Sequence, residues 1–162
     1  MQETAATLQE KFPGAVTEVL SDGDETTLIV AASSAKGILA SLKQDHGFNY
    51  LADLSSAHWP EEARIDVVWM VRNLESRQQL RIRVPLPEED PVIETVSDLW
   101  KAANWLEREV FDLMGVRFEG HPGLKRIMLP DDFEGHPLRK EYPVEGFDEW
   151  RNYLPPEGEA HE

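Results

Sequence analysis

The 162-residue chain contains no cysteine. This absence excludes disulfide bonds, cysteine nucleophiles, thiolate-ligated zinc and cysteine-ligated iron–sulfur clusters within the chain. Long apolar runs are also missing, since the longest, Leu28–Ala32 and Val67–Val71, are far shorter than the roughly 20 residues of a membrane-spanning helix. We therefore expect neither a cluster nor a transmembrane segment in this chain.

Positive charge is scarce, because 16 basic residues face 31 acidic ones and the formal net charge is −15. Nucleic acids and anionic membranes bind clustered positive charge, so neither is expected as the main partner. The N-terminal residues also lack the basic stretch followed by an apolar stretch that marks secretion signals. We therefore expect the chain to work on the cytoplasmic side.

Hydrophobic periodicity predicts an α+β fold in which helices pack on one face of a mostly antiparallel sheet. Leu80–Leu86 alternates apolar residues with Arg81 and Arg83, which is typical of a half-buried strand. Residues 35–42 place apolar side chains at helical spacing. Helices are predicted over residues 4–12, from Ser33 or Ser34 to Gly47, and from Ser97 to Met114, and strands over Val16–Leu20, Thr26–Ala31, Phe48–Leu54, Ile65–Val71 and Leu80–Leu86, with His58–Pro60 in a loop.

Periodicity ends at Gly115, and six prolines in the remaining residues prevent a long helix. Aromatic residues nevertheless recur in this part of the chain, more often than in a solvated tail. We therefore predict two units: an α/β domain over residues 1–115 and an extended C-terminal segment over residues 116–162 that docks on another protein. The alternative, that the segment wraps its own sheet, stays open.

The sequence Phe-Glu-Gly-His-Pro occurs twice, at Phe118–Pro122 and at Phe133–Pro137. Each copy is followed by leucine and a basic pair. Glycine and proline interrupt both helical and strand patterns, so an extended or turned backbone is expected here. The repeat favours recognition by a partner, and the alternative is that these are two similar turns.

The helical stretch Glu107–Asp112 is dense in charge. Arg108 and Asp112 are four residues apart and are expected to pair on one face. Glu109 and Asp112 are three apart, so they could act as an acid/base pair if buried, or simply lie on a solvated face.

Metal binding is conceivable at His121 and His136 with the neighbouring acids Asp131, Asp132 and Glu134. None of these residues follows the spacing of a helical metal motif, and the chain has no phosphate-binding loop, dinucleotide fingerprint or nucleophile elbow. We therefore expect no cofactor site, no metal site and no complete catalytic set.

Two blocks carry a resemblance to a known family. The first is Glu107–Met114, followed by His121, Lys125 and Ile127-Met128, and the second is Leu129–Pro143. Together they resemble the signature of the C-subunit family of respiratory complex I, the proton-translocating NADH-quinone oxidoreductase. Departures are mild, with phenylalanine at position 133 where many relatives have tryptophan, and glutamate at position 141 where many have aspartate.

The resemblance implies a peripheral-arm subunit without a cofactor of its own, the flavin and iron–sulfur clusters being held by partner subunits. It implies docking beside the quinone-binding D subunit, with the B and I subunits nearby, on the cytoplasmic side of the inner membrane. The polar residues of the two blocks would then be interface anchors. These candidate interface residues are Glu107, Arg108, Glu109, Asp112, His121, Arg126, Asp131, Asp132, His136, Arg139, Lys140 and Tyr142.

Two alternatives remain at this point. The first is the equivalent subunit of a related membrane-bound hydrogenase, or of a dehydrogenase with another electron donor, because the two blocks say nothing about the donor. The second is a stand-alone metal-dependent hydrolase that uses His121, His136 and the pair Asp131-Asp132.

Overall fold

The computed structural model describes residues 2–23 and 25–144, and these form an α+β fold. The helices are α1 (Gln2–Lys11), α2 (Ala32–Asp45) and α3 (Ala103–Met114), with a short 3-10 helix at Pro60–Glu62. The strands are β1 (Val16–Asp22), β2 (Glu25–Val30), β3 (Tyr50–Trp59), β4 (Arg64–Arg72), β5 (Gln79–Pro87), β6 (Val92–Glu94) and β7 (Arg117–Glu119). No helix in these two ranges is both long and apolar enough to cross a membrane.

Five strands form one mixed sheet in the order β1-β2-β5-β4-β3. Only β2 and β5 run parallel, and the other neighbours pair in antiparallel fashion. The prediction of a mostly antiparallel sheet in an α+β fold is therefore confirmed. Strands β6 and β7, which the sequence patterns did not predict, form a separate parallel pair.

The core lies between one face of this sheet and the helices. Trp69 of β4 and Ile82 of β5 are paired across the ladder and fully buried. Ile38 and Leu42 of α2 are buried in the same core. Arg83 points to the opposite, half-exposed face, as the alternation in β5 predicted.

Three boundaries differ from the prediction. Strand β3 continues to Trp59, so His58 lies in a strand and not in a loop. Helix α2 begins without a serine cap, since its N-cap is Ala31 with no side-chain hydrogen bond. Helix α3 begins at Ala103, because residues 97–102 form turns instead of a continuous helix.

The predicted boundary after Gly115 falls inside the packed structure. Gly115 ends α3 with a φ of +76°, in the left-handed region that favours glycine, and turns the chain back toward the sheet. Val116 and Phe118 then enter the core, and β7 pairs with β6. Docking of residues 116–162 on neighbouring subunits stays a prediction, and its aromatic residues 147, 150 and 153 lie outside the described residues.

Candidate functional site

The carboxylate of Asp112 on α3 is the centre of a buried hydrogen-bonding cluster. Its Oδ2 accepts the backbone N–H groups of Ile127, Met128 and Leu129 at 2.7–3.0 Å. Its Oδ1 lies 2.8 Å from Nη1 of Arg126. Burial alone would raise the pKa of Asp112, but the three backbone donors and the guanidinium outweigh it and hold that pKa below its ordinary value. One helical side chain therefore fixes four consecutive residues of the C-terminal segment.

The C-terminal end of α3 is closed by the same segment. The last carbonyl groups of a helix have no partner within the helix. Here the carbonyl of Asp112 accepts Nδ1–H of His136 at 2.9 Å, and that of Leu113 accepts N–H of Leu138 at 3.1 Å. The carbonyl of Met114 accepts Nε–H of Arg139 at 2.8 Å. The segment thus caps the helix that holds it.

Gly115 is required here for space as well as for backbone conformation. A Cβ atom at this position would lie 2.6 Å from the ring of His136 and 2.9 Å from Nη2 of Arg139. Real Cβ atoms do not approach other atoms so closely, so a larger residue would displace the capping side chains. Glycine at 115 therefore allows the segment to pack directly on the helix end.

The repeated pentapeptide forms two glycine turns that bring a histidine to α3. Gly120 and Gly135 both have positive φ, +77° and +85°. His121 donates from Nε2 to the carbonyl of Asn104 at 3.1 Å, and His136 contacts the other end of the helix. Because a carbonyl only accepts, each of these ring nitrogens carries its proton. Each copy therefore forms a turn that contacts the chain's own helix, and recognition of the repeat by a partner stays a prediction.

Glu107 is fully buried on the other side of α3. It accepts the hydroxyl of Thr95 and, at 2.7 Å, the backbone N–H of Val96. Its Oε2 lies 3.9 Å from Nε2 of His121. Burial raises the pKa of Glu107 to about 6, and the hydrogen bonds from Thr95 and Val96 oppose the shift without cancelling it. Glu107 thus fixes the loop that precedes α3.

Arg108 binds backbone carbonyls, so the predicted pair between Arg108 and Asp112 is not formed. Its Nε donates to the carbonyl of Lys125 at 3.0 Å and its Nη2 to that of Arg126 at 3.2 Å. The predicted pair is not formed because Asp112 is committed to Arg126 and the three backbone donors. The Arg108 guanidinium also lies 5.1 Å from the ring centroid of Trp105, which is 61% exposed.

The remaining candidate residues lie at the surface. Glu109 is exposed while Asp112 is buried, so these carboxylates do not form an acid/base pair. Asp131 and Asp132 are exposed in a turn closed by the N–H of residue 133 and the carbonyl of residue 130. Lys140 is exposed, although its backbone N–H donates to Nδ1 of His58 at 3.0 Å.

Three predicted residues line a hollow of about 380 Å³ at the end of the described segment. These are His136, Arg139 and Tyr142, joined by Glu134 and Glu141. The ring of Tyr142 stacks on Phe133 with centroids 5.9 Å apart. Burial is the main reason that the pKa of His136 lies below its ordinary value, and the charges of Arg139 and Arg126 add to the effect. The surroundings of the hollow therefore favour the neutral form of the His136 imidazole. The lining of the hollow includes both acidic and basic side chains.

The structure does not bring the predicted metal ligands together. His121 and His136 contact carbonyls of α3 that are eight residues apart, about 12 Å along a helix axis at 1.5 Å per residue. Their proton-bearing nitrogens are also occupied by these carbonyls. A metal site that uses both histidines is therefore not supported.

A second cluster, which the sequence patterns did not predict, joins β3 to the C-terminal segment. His58 is buried, with Oε1 of Glu88 at 2.9 Å from Nε2 and Oε2 of Glu141 at 3.1 Å from Nδ1. Suitable metal-binding atoms of all three lie within 4.8 Å of one another. However, the two carboxylates approach opposite ring nitrogens, so the three side chains do not converge on one point. Extending the alternation of β3 beyond Leu54 would have predicted the inward position of His58.

Solved structures share this architecture. A trypsin-resistant fragment (1–134) of Nqo5 superposes with a TM-score of 0.66 at 33% identity, covering 76% of this chain and 100% of the fragment. A chain of the membrane-bound sulfane sulfur reductase, an archaeal respiratory membrane complex, superposes with a TM-score of 0.76 at 25% identity over 88% of this chain and 85% of that one.

The sequence comparisons define the family. The model of the respiratory-chain NADH dehydrogenase 30 Kd subunit matches residues 28–148. The C subunit of NADH-quinone oxidoreductase from Moorella thermoacetica is 44% identical over 135 residues, or 83% of this chain and 90% of the relative. That of Geobacter sulfurreducens is 41% identical over 143 residues, or 87% and 88%. The chain therefore belongs to the 30 Kd subunit family of respiratory-chain NADH dehydrogenase, and the resemblance to the C-subunit family is confirmed.

Proposed function

We propose that the chain is the C subunit in the peripheral arm of a proton-translocating NADH-quinone oxidoreductase. It holds electron-transfer and quinone-binding subunits in position and carries no cofactor of its own. Relatives at 40–44% identity that bear this name support the assignment. The sulfane sulfur reductase chain is less similar, at 25% identity, so a complex with another electron donor is the less favoured alternative.

One observation carries the scaffolding role. Polar groups of the two sequence blocks bind the chain's own backbone, as the buried carboxylates of Asp112 and Glu107 and the partly buried Arg139 show. Polar groups bound in this way hold a segment of the chain in position, and this is what a scaffold subunit requires of them. Catalysis by a lone chain requires convergent reactive groups, and the predicted hydrolase ligands lie apart.

The surface residues of the same segment are the proposed docking anchors. Asp131, Asp132 and Lys140 are exposed, and the hollow beside Tyr142 offers both charge signs to a partner side chain. The partners proposed are the quinone-binding D subunit first, with the B and I subunits nearby, and the location is peripheral, on the cytoplasmic side of the inner membrane. A charged pair that becomes buried at such an interface costs about 2–5 kcal/mol when one member is truncated.

Co-purification tests this function. The tagged chain is recovered from solubilised membranes, the co-purifying chains are identified, and the isolated chain is analysed for metal and visible absorbance. We expect the quinone-binding and cluster-carrying subunits to co-purify, and the isolated chain to contain no stoichiometric metal, flavin or cluster. A tagged chain that carries Asp131→Lys and Asp132→Lys should recover less of them. Recovery of the chain alone, or one tightly bound metal per chain, would contradict the proposal.

A further inference from the structure

Strand β3 lies at one end of the five-stranded sheet. It pairs with β4 from Tyr50 to Trp59, and no other strand of the described residues pairs with its outer side. After a register shift between Leu51 and Asp53, the pairing continues regularly to the end of the strand. An edge strand of this kind presents a row of backbone N–H and carbonyl groups to any chain that lies beside it.

A groove of about 320 Å³ runs between this strand and α3. One wall is formed by Asp53–Ser56 of β3. At 3.3 Å per residue, this wall is about 13 Å long. The other wall is largely apolar. It consists of Leu106, Glu109, Val110, Leu113, Met114 and Leu138, the last of which is 58% exposed.

The opposite edge of the sheet lacks this combination. Strand β1 has exposed side chains at every position after Val16, and it contacts α1 and β2 instead of a second apolar wall. Of the two edges of the five-stranded sheet, only the β3 edge therefore combines edge hydrogen bonding with an apolar wall.

Resting on the proposed function, we infer that this groove binds an extended segment of a partner subunit, which adds a sixth strand beside β3. Pairing with an edge strand satisfies backbone groups, while alternate side chains enter the groove and provide specificity. Both charged residues of the rim, Asp53 and Glu109, are exposed acids. The occupant is therefore a peptide with apolar residues at alternate positions and lysine or arginine facing these acids. The chain's own residues 145–162 are disfavoured as the occupant, because most of their charged residues are acidic and would face the acids of the groove.

Hydrogen exchange on the isolated chain and on the purified complex gives the first test. In the free chain, amides on the outer side of β3 should exchange fast, and in the complex they should exchange at least about tenfold more slowly, since they become hydrogen-bonded. The matched control is the outer side of β1, which should change little. Equal exchange of the β3 amides in an intact complex overturns the inference and leaves the scaffold role standing. Failure of the wild-type chain to enter any complex overturns both.

Photo-cross-linking identifies the occupant. A benzophenone amino acid replaces Ser55 in the groove or, as a control, Leu20 on β1, and only assembled complexes are analysed. We expect the Ser55 variant, and not the Leu20 variant, to capture a partner segment of the stated composition. Adding Glu109→Lys to the Ser55 variant should lower the cross-linking yield more than adding the control substitution Glu61→Lys. Capture of residues 145–162, of a second copy, or of a helical segment overturns the inference, and so does the absence of any adduct.

Discussion

Asp112 and Arg126 form an ion pair with an Oδ1–Nη1 distance of 2.8 Å, and the carboxylate is fully buried. The other oxygen of this carboxylate accepts three backbone N–H groups that follow Arg126 in the chain. The pair therefore links α3 to a segment that is largely without regular secondary structure up to residue 144. Removing the carboxylate should release that segment.

Asp112→Ala should destabilise the isolated chain by about 3–5 kcal/mol, because it leaves Arg126 and three amides without their buried partner. Glu109→Ala is the matched control on the same helix, where the side chain is exposed, and it should change stability by less than about 0.5 kcal/mol. Urea denaturation of both variants measures this difference. Similar stabilities for the two variants would show that the carboxylate does not hold the segment.

Glu107 should make stability fall as the pH rises. Its pKa in the folded chain is about 6, above the ordinary value of 4.5, so the folded state binds more protons than the unfolded state between these values. The contribution is present in full below pH 4.5 and is lost as the pH rises through 6. At 1.36 kcal/mol per pKa unit, the shift from 4.5 to about 6 corresponds to about 2 kcal/mol of unfolding free energy.

Glu107→Gln isolates this contribution, because its amide oxygen can still accept the N–H of Val96. Free energies of unfolding are measured between pH 4.5 and 7 for the wild type, for Glu107→Gln and for the exposed control Glu109→Gln. The difference between wild type and Glu107→Gln should fall with pH by the amount given above, while the control difference stays flat. A flat difference for Glu107→Gln as well would contradict the assignment.

Gly115→Ala should be more damaging than Gly14→Ala, although the two glycines have nearly equal φ values of +76° and +75°. A Cβ at Gly14 meets nothing within 4 Å, so this variant reports only the cost of a left-handed alanine, about 1 kcal/mol. At Gly115 the new methyl group also collides with His136, which adds about 1–3 kcal/mol. Thermal and urea unfolding of the two variants decide the matter, and equal losses would mean that the segment does not pack on this helix end.

Periodic patterns predicted the parts of the fold that bury one face of a regular element. The alternation of β5 and the helical spacing of α2 are local patterns, so the sequence alone predicts these two elements. The order of the predicted helices and strands follows from such patterns. The end of β3 was missed because the inward positions after Leu54 are held by the polar residues Ser56 and His58, and because a proline follows Trp59.

The roles of Asp112 and Glu107 could not be predicted from the sequence. Both looked like members of a solvated or acid/base helix face, whereas each receives backbone N–H groups from a loop 11–17 residues away along the chain. Which loop folds back to a helix depends on turns such as those at Gly115 and Gly135, not on spacing within the helix. The repeated pentapeptide predicted an extended or turned backbone. That its two histidines contact opposite ends of α3 could be seen only in the structure.

The scaffold role is tested most directly by measuring quinone reductase activity divided by the amount of assembled complex in membranes that carry Asp132→Ala. Asp132 is exposed and its side chain forms no hydrogen bond or ion pair within the described residues, so its loss should spare the fold and weaken docking. Glu61→Ala, at an exposed acid of the 3-10 helix, is the control. We expect less assembled complex with Asp132→Ala, unchanged activity per complex, and normal values for the control. Normal assembly with a collapse of activity per complex would mean that this chain takes part in the quinone chemistry, and the scaffold account would then be wrong.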